Sequence, residues 1–283
     1  MENKNLKSAL KIGIIGLGLI GGSILKALHK CGYEVVGISK SSYKEAADFC
    51  SYSSPDINDI KGCNVVFVCS KMHETLKTLD KLEHIVSPDC IVTDVSSLKR
   101  FVNVDSNGNI YKRPYKFIGS HPMAGTEFSG FEHSFAELFE DAKWILNAKC
   151  GILEKLILDT GAKPVLMDEN AHDKAACLIS HLPMLVSCAL FNTVLKSDKQ
   201  ALNIASSGFR DTTRLALTNQ DLAFDMKNMN FDNLDAAIEE FIKNLCELKN
   251  MPKEAFINEL NSIQKIRCSM YDENGKNKYQ ADL

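Results

Sequence analysis

Short apolar runs and helix-like periodicity alternate along the first part of the chain. The runs Lys11–Ile15 and Glu34–Ile38 have the length and composition of buried strands. Between them, Ile24, Leu25 and Leu28 recur at helical spacing. Further strand candidates, with predicted helices between most of them, are residues 64–69, 90–93, 117–118 and Lys143–Leu146. This alternation predicts an α/β fold with a doubly wound sheet.

A glycine-rich turn joins the first predicted strand to the first predicted helix. Gly16, Gly18 and Gly21 form the pattern G-x-G-x-x-G, with Leu19 and Ile20 inside it. Gly16 permits a tight turn, Gly18 lets the backbone approach a pyrophosphate, and Gly21 lets the helix pack close to the strand. The alternative is a buried glycine turn without a ligand. The strand–turn–helix–strand context favours a Rossmann-like domain that binds a dinucleotide.

The end of the second predicted strand bears on the choice of dinucleotide. An NAD site usually has Asp or Glu there, to bind the ribose 2′-hydroxyl. This chain has Ser39, Lys40 and Ser41 instead. Hydroxyl groups and one cation suit a 2′-phosphate, so we expect NADP, with NAD as the alternative. A solvated turn without a cofactor role is the simpler interpretation of the same residues.

Three loops follow predicted strands at the carboxyl edge of the sheet, where ligands of such sheets bind. They are residues 70–72, 94–97 and 119–125. We select Ser70, Lys71 and Asp94 as further cofactor contacts. His121 lies in the third loop, within GSHPMAGTE. A titratable ring on the cofactor side of the sheet favours a catalytic role over that of an ordinary loop histidine.

The pattern changes after about Asp168. The segment ENAHDKAACLISHLPMLVSCALFNTVL is long, helical and mostly apolar, and Pro183 should kink or split it. Apolar residues cover much of its circumference, which predicts burial on more than one side and suggests a dimer core. Two amphipathic helices follow. We therefore predict a dinucleotide-binding domain at 1–167 and an all-helical substrate and dimerisation domain at 168–283.

Composition narrows the possible partners and the compartment. The 283 residues are 45% hydrophobic and 24% charged, and the formal net charge is −3. Nothing in this balance suggests a nucleic-acid or anionic-membrane partner. Ten cysteines occur without a C-x-x-C pair, which favours reduced thiols and a cytoplasmic location. The apolar residues 12–28 contain five glycines, so we interpret them as strand, turn and helix rather than a membrane span.

Five segments occur together in a characteristic order, from about residue 11 to about residue 250. They are GLGLIGGS, TDVSSLK, GSHPMAGTEFSG, ISHLPMLVSCAL and ASSGFRDTTR. In this combination the chain resembles the prephenate/arogenate dehydrogenase family of tyrosine biosynthesis, and GISKSS and ISHLPMLVSCAL are most like the NADP-using arogenate branch. The resemblance implies an oxidative decarboxylation, in which hydride passes to the nicotinamide while carbon dioxide leaves and the ring becomes aromatic.

The resemblance implies roles for three side chains. His121 would accept the proton of the substrate's ring hydroxyl, and Ser97 would hydrogen-bond that hydroxyl and His121. The alternative for Ser97, or its neighbour Ser96, is to cap the following helix. Arg214 would bind a substrate carboxylate, with a surface ion pair to Asp211 as the alternative.

Further residues are expected around the substrate pocket. Ser180 and His181 lie in the SHLP segment, and Thr126 lies in HPMAGT. For His181, a buried structural role is nearly as well supported as substrate binding. We considered metal binding by Glu169, His172 and His181. Glu169 and His172 form a possible i, i+3 pair, but no third ligand has convincing spacing.

Departures from the family pattern guide the substrate prediction. Many prephenate-specific members have a histidine after SHLP, where this chain has Met184. This favours arogenate, with prephenate as the alternative. We also expect Glu127 and Asp211 to hold Arg214 in place. Other interpretations are a different NADP-dependent reductase with a helical dimer domain, or an NADP-binding redox sensor without catalysis. Neither accounts for the HPMAGT and GFRDTTR segments.

Overall fold

The computed structural model describes residues 10–105, 107–126 and 128–272. A six-stranded parallel sheet, in the order β3-β2-β1-β4-β5-β6, forms the first layer of the fold. Its strands are β1 (Lys11–Ile15), β2 (Glu34–Ile38), β3 (Tyr52–Ser54), β4 (Val65–Val68), β5 (Ile91–Asp94) and β6 (Lys116–Ile118). This strand order is that of a Rossmann sheet, and the predicted fold class is confirmed.

Helices cover both faces of this sheet because successive strand residues point to opposite faces. Ile12 and Ile14 belong to a core cluster with helix α1, whereas Ile15 belongs to a second cluster with helix α2. The helices of this region are α1 (Leu19–Lys30), α2 (Met72–Leu82), α3 (Arg100–Asn103) and α4 (Gly151–Asp159).

A second, three-stranded sheet differs from the prediction. It contains β7 (Ser120–Pro122), β8 (Lys143–Leu146) and β9 (Lys163–Leu166) in that order. Lys143–Leu146 therefore does not extend the large sheet: it pairs antiparallel with β7 and parallel with β9. The strands β3, β7 and β9 were not predicted, because they are three or four residues long and lack an apolar run.

The remaining described chain is helical. It contains α5 (Glu169–Ala176), a π-helical segment (Cys177–His181), α6 (Leu182–Ser197), α7 (Ser207–Thr213), α8 (Gln220–Met229), α9 (Phe231–Asn250) and α10 (Lys253–Met270). Pro183 lies in the first turn of α6, and helical residues run without a break from Glu169 to Ser197. A kink at Pro183 stays a prediction. The π-helical segment before it was not predicted.

We expected the long helix to be buried on more than one side, but this chain alone leaves most of it exposed. Within α6 only Met184 and Ser187 are buried. By length and composition, Glu169–Ser197 could cross a membrane, and 17% of its most apolar window is buried inside the chain. The helix therefore leaves apolar surface for another molecule to cover.

The chain forms two compact units, residues 1–234 and residues 235–283. The first contains both sheets and the helices up to the start of α9. The described part of the second contains the rest of α9 and α10, with exposed apolar residues such as Leu245, Ile257 and Ile263. The predicted domain boundary between residues 167 and 168 stays a prediction.

Candidate active site

The glycine turn has the geometry that the sequence pattern predicts. Gly16 has a φ of +92°, and a Cβ there would lie 2.6 Å from the carbonyl oxygen of Cys69. A Cβ on Gly21 would lie 1.9 Å from the carbonyl oxygen of Gly16. Side chains at both positions would force β1, β4 and α1 apart. The tight packing therefore requires glycine at residues 16 and 21.

The start of α1 offers its backbone to a ligand. Gly18 is the N-cap residue, and a Cβ there would have no described atom within 4 Å. Leu19 and Ile20 begin the helix, and none of the described side chains caps it. The first N–H groups of a helix carry partial positive charge and bind phosphate. The residues present thus fit a dinucleotide pyrophosphate.

The end of β2 carries hydroxyl groups and a lysine. Ser39 Oγ accepts a hydrogen bond from the Ser42 backbone N–H at 3.1 Å and lies 3.5 Å from Ser41 Oγ. Lys40 is exposed. The four residues 39–42 contain no carboxylate, so no acid there would repel a 2′-phosphate.

Two of the other predicted cofactor contacts already have protein partners. Ser70 Oγ lies 3.3 Å from Thr75 Oγ1. Lys71 Nζ lies 2.5 Å from Asp221 Oδ2 on α8, and both side chains are more than half exposed. A phosphate would compete with Asp221 for the Lys71 ammonium group.

The Asp94 side chain binds other protein groups in the interior. Its side chain is fully buried at the end of β5. Oδ1 accepts the Ser120 N–H at 3.2 Å, and Oδ2 accepts the Ser96 N–H at 3.0 Å and the ammonium group of Lys99. We therefore exclude Asp94 from the cofactor site, because its carboxylate presents no surface to a ligand.

His121 lies on the short strand β7 rather than in a loop, and it is half-buried. Its Nδ1 lies 2.9 Å from Nε2 of His172 on α5, and the two rings are nearly perpendicular at 79°. Burial lowers the pKa of His121 well below its ordinary value, and His172, Lys99 and His181 lower it further. The ring is therefore neutral near pH 7 and able to accept a proton.

His172 is linked to a buried carboxylate. Its Nδ1 lies 2.7 Å from Oδ1 of Asp173, and both side chains are almost fully buried. Asp173 also accepts the backbone N–H groups of Lys99 at 2.7 Å and Arg100 at 2.9 Å. The carboxylate thus satisfies the start of α3, the role that Ser96 or Ser97 could have filled. The capping interpretation of those serines is therefore wrong.

His181 lies in the π-helical segment and is fully buried. Its Nδ1 lies 3.3 Å from Nδ2 of Asn230, and Nε2 has no hydrogen-bond partner among the described residues. Burial, with a contribution from His172, lowers its pKa to about 4. Ser180, one residue earlier, is half-buried.

The remaining predicted substrate residues are less enclosed. Ser97 Oγ donates to Met72 Sδ at 3.6 Å, and no hydrogen bond joins it to His121 in the described chain. Thr126 is exposed, and its Oγ1 accepts the Phe128 N–H at 3.3 Å.

Arg214 is exposed at the start of a 3₁₀ turn. Asp211 pairs with Arg210 at 2.9 Å, so the alternative ion pair of Arg214 with Asp211 does not form. In the part of the chain that the structure describes, Arg214 makes no ion pair. Glu127, its other expected partner, lies outside the described residues.

Comparison with known proteins decides the family. The model of the prephenate dehydrogenase nucleotide-binding domain matches residues 24–158, and that of the prephenate dehydrogenase dimerization domain matches residues 168–265. The prephenate dehydrogenase of Bacillus subtilis is 31% identical over 254 residues, which cover 83% of this chain and 68% of that relative. The chain belongs to the prephenate dehydrogenase family. It is accordingly an NAD(P)-dependent dehydrogenase.

Solved structures of prephenate dehydrogenase family members have the same fold. Synechocystis arogenate dehydrogenase superposes with a TM-score of 0.77 at 30% identity, covering 92% of this chain and 99% of that one. The prephenate dehydrogenase of A. aeolicus, solved with hydroxyphenyl propionate and NAD+, gives 0.82 at 28% identity, with 92% and 97% covered.

The prephenate dehydrogenase motifs did not reveal the roles of three residues in the polar cluster behind His121. His172 and Asp173 are adjacent in the ENAHDK segment, and Lys99 ends TDVSSLK. From the sequence, His172 is a candidate only as a metal ligand, and in the described residues no group of three His, Cys, Asp or Glu could hold a metal. A buried His–Asp pair in a helix is a weak sequence signal, because either residue alone is common on a solvated face.

Proposed function

We propose that this protein converts arogenate to tyrosine by oxidative decarboxylation, with NADP as the preferred hydride acceptor. The chemistry rests on one observation: the imidazole of His121 is neutral and lies on β7, just after the carboxyl end of β6 in the large sheet. The nicotinamide, when bound, accepts hydride from the hydroxyl-bearing ring carbon. His121 takes the hydroxyl proton as hydride leaves. Loss of carbon dioxide then places an electron pair on the ring oxygen, and His121 returns the proton there.

The other substrate contacts follow from the charges of the substrate. Arg214 binds one carboxylate, since a guanidinium can bind a carboxylate bidentately and Arg214 has no ion-pair partner in the described residues. Ser97 orients the ring hydroxyl, and Ser180 and Thr126 line the pocket. His181 has no exposed surface, which favours the structural role over substrate binding. Because the proton taken up is returned, the reaction consumes no net proton.

Met184 carries the preference for arogenate. Its side chain is 4% exposed in the first turn of α6, three residues after His181. A thioether cannot donate a hydrogen bond to the oxygen of a keto-acid side chain. The alternative is a prephenate dehydrogenase that produces 4-hydroxyphenylpyruvate, and its support is that the Bacillus subtilis relative is a prephenate dehydrogenase.

The preference for NADP rests on the end of β2. Ser39, Ser41 and Lys40 offer hydroxyls and a cation where an NAD site has a carboxylate. Gly16, Gly18, Leu19, Ile20 and Gly21 bind the pyrophosphate, and Ser70 and Lys71 complete the site. NAD is the alternative, because the A. aeolicus relative was solved with NAD+.

We further infer a cytoplasmic homodimer. The helical region matches a domain described as a dimerization domain, and α6 exposes apolar surface within one chain. A second copy would cover that surface. Light scattering on protein eluted from a size-exclusion column should give a mass twice that of the 31.4 kDa chain.

The experiment that tests the function measures initial rates of reduced-nicotinamide formation with arogenate and prephenate, each with NAD and NADP. Turnover with arogenate and NADP alone supports both specificity arguments. Turnover with prephenate and NAD overturns both and keeps the family reaction. Binding of NADP without turnover in any of the four assays would indicate the redox-sensor interpretation.

A further inference from the structure

We propose that His172 and Asp173 form a relay behind His121: His172 fixes the tautomer of His121 and accepts its Nδ1 proton during the reaction. The inference rests on the proposed role of His121 as the base. It adds a positioning residue, because His172 contacts His121 and not the reacting atoms.

The hydrogen bonds determine where each proton lies. Asp173 accepts two backbone N–H groups from the start of α3, which stabilises its ionised form. Nδ1 of His172, at 2.7 Å from this carboxylate, must therefore carry a proton. In neutral His172 the other nitrogen, Nε2, is then an acceptor.

His121 must donate to that acceptor. Its Nδ1 is 2.9 Å from His172 Nε2, so the proton of neutral His121 lies on Nδ1. Nε2 of His121 is left with its lone pair, ready for the substrate hydroxyl. The same logic operates wherever a carboxylate orients a catalytic imidazole, here extended by a second imidazole.

The surroundings decide where a positive charge is most stable. Burial disfavours a positive charge on the His121 ring, and His172, Lys99 and His181 add to this effect. His172 instead contacts Asp173 directly. The charge of Lys99 is itself largely compensated by its buried contact with Asp94. The geometry therefore places a carboxylate against His172, where it can stabilise an imidazolium, and a second imidazole against His121.

The substrate O–H bond breaks and its proton joins Nε2 of His121, while the Nδ1 proton of His121 moves to Nε2 of His172. His172 becomes an imidazolium that remains hydrogen-bonded to Asp173, which stays ionised. When the ring becomes aromatic, the phenolate oxygen takes the proton back from Nε2 of His121, and the Nδ1 proton returns from His172.

Two substitutions at His172 separate the two parts of the proposal. In His172→Gln the amide oxygen can accept a hydrogen bond from Nδ1–H of His121, so the tautomer of His121 is kept. The amide cannot become protonated, so the proton transfer from His121 is lost. In His172→Leu both are lost. We expect kcat to fall on the order of 10²–10³-fold for His172→Leu and about tenfold for His172→Gln, with KM nearly unchanged. A structural role would affect both variants through stability.

The matched control is His73→Gln. His73 also pairs with a carboxylate, Asp225 Oδ2, at 2.8 Å, but does not contact His121. Its kcat should stay within about twofold of the wild type, and melting curves should show that all three variants are folded.

A measurement on the substrate-free protein tests the tautomer directly. The ¹⁵N signals of the His121 ring, assigned by their loss in His121→Gln, should show a protonated Nδ1 and a bare Nε2 in the wild type and in His172→Gln. His172→Leu should show mixed tautomers. Wild-type kcat in His172→Leu, or a proton on Nε2 in the wild-type protein, would overturn the relay. Failure of the wild type to turn over either substrate would instead contradict the proposed function.

Discussion

The glycine turn and the histidine site place their functional atoms in different ways. The turn uses the backbone of six consecutive residues, Gly16 to Gly21, and works because two positions have no side chain. The histidine site uses side chains from separate elements: His121 and His172 are 51 residues apart in sequence. An added atom should damage the first region, whereas a removed atom should damage the second. The two regions therefore call for opposite kinds of substitution.

Removing the imidazole of His121 should have the largest effect on activity. In His121→Gln the side chain keeps hydrogen-bonding capacity but cannot accept a proton, so we expect kcat to fall about 10³-fold. Fluorescence titration should give an unchanged Kd for NADP, because the glycine turn is intact. A variant that retains more than a tenth of wild-type kcat would contradict the assignment of His121 as the base.

Adding one methyl group to the turn should be the converse experiment. In Gly21→Ala the new carbon would lie 1.9 Å from the Gly16 oxygen, which should cost about 3 kcal/mol and lower Tm by roughly 6–12 °C. Gly18→Ala is the matched control for packing, since no described atom is within 4 Å of its Cβ. It should melt near the wild-type temperature and still raise KM for NADP, because the methyl group occupies the space proposed for the pyrophosphate. Equal Tm losses would contradict this distinction.

Arg214 and Arg210 allow a comparison within one short segment. Arg210 is neutralised by Asp211 at 2.9 Å, whereas Arg214 has no ion pair among the described residues. Arg214→Gln should raise KM for the substrate ~10–100-fold, the value of a lost hydrogen bond between charged groups. Arg210→Gln should change it less than about threefold. Similar KM values for the two variants would contradict the assignment of Arg214 to the substrate site.

The two regions also differ in how far the sequence alone predicts them. The turn, β1 and α1 could be predicted because the pattern and its structural cause lie in adjacent residues. The β7 strand could not, because Ser120, His121 and Pro122 form no apolar run and are held by pairing with β8. The contact of His121 with His172 depends on the packing of α5 against the start of α3, which no local periodicity encodes. The prediction of Asp94 as a cofactor contact fails for the same reason. Its ion pair with Lys99 is fully buried, and no local pattern in the sequence indicates that burial.

The end of β2 offers a smaller change that extends the comparison to cofactor choice. Ser39→Asp supplies the carboxylate that an NAD site uses, and it repels a 2′-phosphate. We expect the ratio of kcat/KM for NADP to that for NAD to fall roughly tenfold or more, while kcat with saturating cofactor stays the same. Ser51→Asp, at the amino end of β3 and so at the opposite edge of the sheet, is a control that should leave the ratio unchanged. If Ser39→Asp leaves this ratio unchanged, residues 39–41 are better interpreted as a solvated turn without a cofactor role.

The effect that is smallest at neutral pH is on stability rather than activity. It concerns the neutral histidines and grows as the pH falls. The pKa of His181 is lowered to about 4, so the unfolded chain binds its proton first as pH falls. Below about pH 6.5 the unfolded state therefore gains stability relative to the folded state, and the loss is complete near pH 4. His181 alone should contribute about 3 kcal/mol over this range, and His121 adds a loss of the same sign. Urea unfolding at several pH values should show a shallower decline for His181→Gln than for the wild type. Parallel declines would mean that His181 is accessible to water and titrates at its ordinary pKa, which would favour a position in the open pocket over one in the protein interior.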